Sequence, residues 1–121
     1  MNSLIHIVED DPAVRDSLKL LLEMRGHEVE AFACGADLLA CGDAKHCDCM
    51  ILDVDLPGDD GFEILAKLRE RGVETPVIFV SGKSGHAIRA QARRANAAGF
   101  FEKPVKPDEL FAAIDRAARH T

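Results

Sequence analysis

Short apolar runs alternate with amphipathic stretches along the whole chain. Leu4-Ile5-His6-Ile7-Val8 reads as a buried strand that stops at the acidic run Glu9-Asp10-Asp11. Asp11-Pro12 supplies a polar cap with proline at the first helical position. Val14, Leu18, Leu21 and Leu22 recur at helical spacing, so this helix is expected to lay that face on a core until Gly26 stops it. Glu28 to Phe32 alternates as a strand. Gly35 to about Cys41 makes a short helix that uses Leu38 and Leu39. Cys49-Met50-Ile51-Leu52 is a third strand and ends at Asp53.

Pro57-Gly58-Asp59-Asp60-Gly61 is a loop, and Ile64, Leu65 and Leu68 mark one face of the helix that runs from it to Gly72. Pro76 opens a fourth strand, Val77-Ile78-Phe79-Val80. An Ala- and Arg-rich helix follows from about Gly85 to Ala95, with a weak apolar face. Phe100-Phe101 forms a short fifth strand. Pro107-Asp108 starts a last helix that points Leu110, Ile114 and Ala117 inward. Strands that alternate with helices pair in parallel through right-handed crossovers, with helices on both faces. The expectation is an α/β fold with a five-stranded parallel sheet, in one domain spanning 1–121. In such folds the site lies at the carboxyl ends of the strands, at a topological switch point.

Composition narrows the function. A chain of 121 residues, nearly half of them hydrophobic, suffices for one core. No apolar run approaches a membrane span, and no secretory leader is recognisable, so a soluble, cytoplasmic protein with no membrane partner is expected. The formal charge of −6 gives no electrostatic reason to coat nucleic acid, and without Trp or Tyr there is little surface for stacking bases. Cys34, Cys41, Cys47 and Cys49, with His46, invite a zinc reading. Their spacing does not fit paired C-x-x-C knuckles, and they are read as reduced thiols.

Polar residues close the apolar runs. Glu9 and Asp10 follow the first strand, Asp53 and Asp55 the third, Ser81 the fourth, and Lys103-Pro104 the fifth. Singly, each has an ordinary use in a cap or a turn. Together they all fall on one edge of the sheet. Carboxylates brought close repel one another unless a cation is present. Hard oxygen donors suit magnesium, which takes one or two carboxylates and fills its shell with water and phosphate oxygens. An Asp carboxylate can attack phosphorus to form an aspartyl phosphate. A lysine can offset charge on the transferring group, and a serine hydroxyl can donate a hydrogen bond to it.

The segments I-V-E-D-D-P-A-V-R, L-D-V-D-L-P-G-D-D-G, V-S-G and F-F-E-K-P resemble the receiver domain of two-component response regulators, over essentially the whole chain. The resemblance implies a flavodoxin-like sheet of strand order 2-1-3-4-5. It implies that Asp53 is the phosphoacceptor. Asp10 would bind magnesium directly, Glu9 mainly through water, and Asp55 through its backbone carbonyl. Ser81 and Phe100 fall at the conformational switch positions, and Lys103 is the lysine that contacts the phosphoryl group, with a cis bond to Pro104. Asp55 and Lys83 fall where the family tunes dephosphorylation; paired across the site, they would hinder the attacking water. The implied partner is a sensor histidine kinase or phosphotransfer protein that docks near the first helix. The surface of the fourth helix, fifth strand and last helix would signal to an output domain or support a homodimer, with Arg89, Arg93 and Arg94 available for pairing. On this reading the domain is no enzyme; it catalyses only its own phosphotransfer and dephosphorylation. The first strand and the S-G-K-S-G loop look closest to receivers that precede a helix-turn-helix, which implies transcription regulation.

This chain departs from the common pattern in places. Phe100 has no hydroxyl, so its ring cannot make a switching hydrogen bond. Asn96 stands where a helix-ending glycine is usual, and Asn is the next-best residue for a left-handed cap. Two enzyme resemblances are weaker. Asp53-Val54-Asp55 resembles the nucleophile motif of haloacid-dehalogenase-type phosphatases, but it follows the third strand and no cap is inserted. Gly82-Lys83-Ser84 resembles the end of a P-loop, but Val77 stands where that motif needs glycine.

Overall fold

A computed structural model describes residues 3–41, 46–83 and 85–118. Its elements follow the predicted alternation: β1 (Leu4–Val8), α1 (Pro12–Met24), β2 (Glu28–Phe32), α2 (Gly35–Ala40), β3 (Cys49–Asp53), α3 (Gly61–Glu70), β4 (Val77–Ser81), α4 (His86–Arg94), β5 (Gly99–Glu102) and α5 (Pro107–Ala118). All neighbouring strands are parallel, in the order β2-β1-β3-β4-β5. Ser84, in the S-G-K-S-G loop, lies outside the described residues.

Local chemistry sets the helix ends. Asp11 Oδ1 accepts from the backbone N–H groups of Ala13 at 2.9 Å and Val14 at 3.4 Å, and Pro12 fills a first-turn position that needs no N–H. Asp60 and Glu63 form a reciprocal capping box at the start of α3. Asn96 adopts φ 58 just past α4, the left-handed conformation expected of it.

Two apolar layers sandwich the sheet. Leu38 of α2, Ile64, Leu65 and Leu68 of α3 and Ala92 of α4 pack on one face, against Val8, Met50, Leu52 and Phe79. Leu22 of α1 and Leu110, Ala113, Ile114 and Ala117 of α5 pack on the other, against Ile5, Ile7, Ile51 and Ile78. The central strands β3 and β4 are buried at every position, as parallel strands covered on both faces must be. The weak apolar face predicted for α4 is observed, with Ala92 its only fully buried residue.

The apolar stripe of α1 needs correction. Leu22 alone is sealed in the core, while Val14 and Leu21 stay 40% and 38% exposed. With Leu18 they line an open groove of about 540 Å³ between α1 and the Pro104-Val105 segment. Periodicity identified the inward face correctly, but among the described residues nothing covers the end of it.

Candidate functional site

Parallel pairing places the ends of β1, β3 and β4 and the segment after β5 along one edge. Lys103 reaches across that edge. Its Nζ donates to Glu9 Oε1 and to Asp53 Oδ2, both at 2.8 Å. Asp53 Oδ1 accepts from the backbone N–H of Asp55 at 2.9 Å. Glu9 Oε2 accepts from the backbone N–H of Asp11 at 3.3 Å. Asp53 is 1% exposed and Glu9 is 2% exposed, so both carboxylates have lost most of their hydration.

Burial dominates the acid–base balance. It pushes the Glu9 carboxyl up to about 7, helped by the facing Asp53 and opposed by Lys103. Burial alone would lower Lys103, but the hydrogen bonds it donates to Asp53 and Glu9 outweigh it and hold the ammonium above its usual range. The site therefore carries more negative charge than one lysine comfortably neutralises.

The third acid, Asp10, is exposed and lies beside this pair. Carboxylate oxygens of Glu9, Asp10 and Asp53 fall within 4.8 Å of one another. Three convergent hard oxygens with excess negative charge fit a divalent cation such as magnesium. The Asp55 carboxylate does not join them. It turns to the end of β4, where Oδ2 accepts from Ser81 Oγ at 3.0 Å and from the Gly82 N–H at 2.8 Å. Ser81 Oγ in turn accepts from the Lys83 N–H at 3.0 Å. The supposed Asp55–Lys83 ion pair is thus replaced by pairing of Asp55 with Ser81 and Gly82. Lys83 and Asp55 instead border a shared depression of about 400 Å³ beside α4.

Phe100 lies half-buried on β5, paired in register with Phe79. The Arg89 guanidinium stands 5.1 Å from the Phe100 ring centroid and 4.0 Å from a Glu102 carboxylate oxygen. Arg89, offered above for pairing across a dimer, is engaged within its own chain. The Lys103-Pro104 bond is cis.

Two supporting residues escaped sequence reasoning. Arg15 Nη1 donates to the Glu9 carbonyl at 2.9 Å and ties α1 to the end of β1. Gly61 was read as loop, yet a Cβ there would lie 2.8 Å from the Asp53 carbonyl oxygen. Only glycine lets α3 start this close to the backbone that carries Asp53. The available signal was a glycine directly after the acidic pair that caps a helix.

The fold and site define a doubly wound α/β domain with an acid–lysine cluster at its switch point. The chain belongs to the response regulator receiver domain family, whose model matches residues 5–115. It is a receiver domain of two-component signalling. It is 36% identical over 117 residues to the response regulator protein TodT of Pseudomonas putida, covering 97% of this chain and 52% of that one. It is 37% identical over 123 residues to the C4-dicarboxylate transport transcriptional regulatory protein DctR of Rhodobacter capsulatus, covering 99% and 62%. The chain thus spans a little over half the length of these relatives. Among solved structures, a CheY-like receiver domain protein from Methanospirillum hungatei superposes with TM-score 0.87 at 30% identity, covering 99% of this chain and 96% of that one. Among the described residues no helix is long and apolar enough to cross a membrane.

Proposed function

We propose that Asp53 accepts a phosphoryl group from a phosphohistidine of a partner kinase or phosphotransfer protein. An Asp53 carboxylate oxygen attacks phosphorus in line; the P–N bond to the imidazole breaks and an acyl phosphate remains. The observation that carries this reading is Lys103 Nζ, 2.8 Å from Asp53 and from Glu9, beside three clustered carboxylates. Asp53 is oriented by the Asp55 N–H and Lys103 before any donor arrives, so little reorganisation precedes attack. Glu9, Asp10 and Asp53, with the Asp55 backbone carbonyl, would hold magnesium, which when bound supplies positive charge to the phosphoryl oxygens. Lys103 follows the transferred oxygens and releases Glu9. Ser81 leaves Asp55 to donate to the phosphoryl group, and Phe100 turns inward behind it.

That motion alters the α4-β5-α5 surface. With Ala92 its one sealed residue, α4 has little apolar packing to hold it in one position. The altered surface would control an output domain that regulates transcription, on the analogy of the transcriptional regulatory relatives, or support a homodimer. The exposed Val14 and Leu21 on α1 line the groove that Glu9 and Lys103 also border, and offer the kinase an apolar contact near the site. The domain acts on itself alone and turns over no separate substrate.

The test is intact mass after incubation with magnesium and acetyl phosphate. One phosphoryl adduct is expected on the wild type and none on Asp53→Asn. No adduct, or equal adducts on both, sinks the reading.

A further inference from the structure

A second cluster of ligand atoms lies away from the acidic edge, on the α2 face of the sheet. His6 on β1 is fully buried, and its register partner on β2 is Glu30. Paired residues of neighbouring parallel strands point to the same face, so the two side chains stand side by side. His6 Nε2 lies 3.6 Å from Glu30 Oε2. Cys41, just past the end of α2, brings Sγ to 3.7 Å from the same oxygen. All three donor atoms lie within 4.8 Å of one another.

These separations match a tetrahedral metal. Zinc bonds of about 2.0–2.1 Å to nitrogen, 2.0–2.2 Å to oxygen and 2.3 Å to sulfur give N···O edges of about 3.4 Å and O···S edges of about 3.6 Å. The donor set also suits zinc over magnesium, because imidazole and thiolate are soft to borderline ligands that magnesium avoids. A neutral imidazole, one carboxylate and one thiolate leave a bound divalent ion electrically balanced. The histidine is fixed by burial and by the Phe32 ring, edge-on at 5.5 Å. Glu30 is exposed and Cys41 is partly exposed, so an ion has a path in from solvent. The other cysteines near this part of the chain are poor candidates: burial pushes Cys47 up to about 11 and Cys49 up to about 12.

We propose that His6, Glu30 and Cys41 form a site for a zinc-type transition metal, with a fourth position open to water or an external ligand. The ion displaces the Cys41 thiol proton to solvent and ties the end of α2 to β1 and β2. This site is independent of the phosphoacceptor chemistry.

Titrating the reduced, metal-free protein with cobalt(II) in excess magnesium tests it. One equivalent is expected to produce a thiolate-to-cobalt charge-transfer band, which zinc then abolishes by competition. The band is expected to vanish in Cys41→Ser, to persist in Cys34→Ser, and to need about tenfold more cobalt in Glu30→Gln. Cys41 and Glu30 are solvent-accessible, so these variants fold, and circular dichroism checks that they do. Absence of the band from the wild type, or its survival in Cys41→Ser, overturns the proposal.

Discussion

Ser81 donates its hydroxyl hydrogen to Asp55 Oδ2 across 3.0 Å, joining the end of β4 to the residue two positions beyond Asp53. The group proposed to report phosphorylation is therefore already committed. A hydrogen bond to a charged acceptor is worth about 1.5–3 kcal/mol, so Asp55 biases Ser81 toward the unphosphorylated arrangement. Asp55→Ala is expected to raise the initial rate of phosphorylation by acetyl phosphate several-fold, read by intact mass at early times.

Loss of phosphate is a separate measurement. Asp55 and Lys83 both border the depression beside α4, and the family resemblance places them where loss of phosphate is tuned. The wild type is expected to lose phosphate more slowly than the Asp55→Ala, Lys83→Ala double variant, followed after removal of the donor. Faster loss from the wild type would refute the protective role.

The pH dependence of stability follows from Glu9. Its carboxyl rises from 4.5 to about 7 on folding, chiefly through burial. The folded state thus holds the proton more tightly than the unfolded chain. The associated stability is full below about pH 4.5 and is lost as pH rises through about 7. At about 1.4 kcal/mol per pKa unit the effect is on the order of 3–4 kcal/mol. Magnesium relieves the same repulsion, so its increment in Tm is expected to be several degrees larger at pH 8 than at pH 5, measured by calorimetry.

Lys103→Met removes the cation shared by Glu9 and Asp53 while keeping an unbranched side chain. The metal-free variant is expected to lose about 1–3 kcal/mol at pH 8 and much less at pH 5, where Glu9 is protonated. Urea unfolding at the two pH values checks this. Equal losses at both would mean that the lysine acts through Asp53 or through packing, and not through Glu9.

Gly61→Ala places a methyl group 2.8 Å from the Asp53 carbonyl oxygen, against backbone that has little freedom to give. Overpacking of this kind costs about 1–3 kcal/mol. A lower urea midpoint is expected, together with slower phosphorylation, because the strained backbone carries the acceptor.

Much of this was written in the order of the residues. Each strand is a run of apolar positions bounded by turn chemistry, and helices between strands force parallel pairing. Parallel pairing puts every strand's carboxyl end on one edge. Glu9, Asp10, Asp53, Ser81 and Lys103 could therefore be assigned to one place without a distance being known. Periodicity also fixed which face of α1 turns inward.

The tertiary structure decided what touches what. Lys103 meets Glu9 and Asp53 from 94 and 50 residues away, and no local pattern encodes such a separation. Asp55 chose Ser81 and Gly82 over Lys83 because the end of β4 lies directly beside it. The inward face of α1 stayed partly open because a helical period says which way a side chain points, not whether anything lies there. The grouping of His6, Glu30 and Cys41 depends on strand register and on where α2 ends. The sequence by itself determined the type and edge of each element. Register, crossovers and packing, which act between residues far apart in the chain, determined the partners.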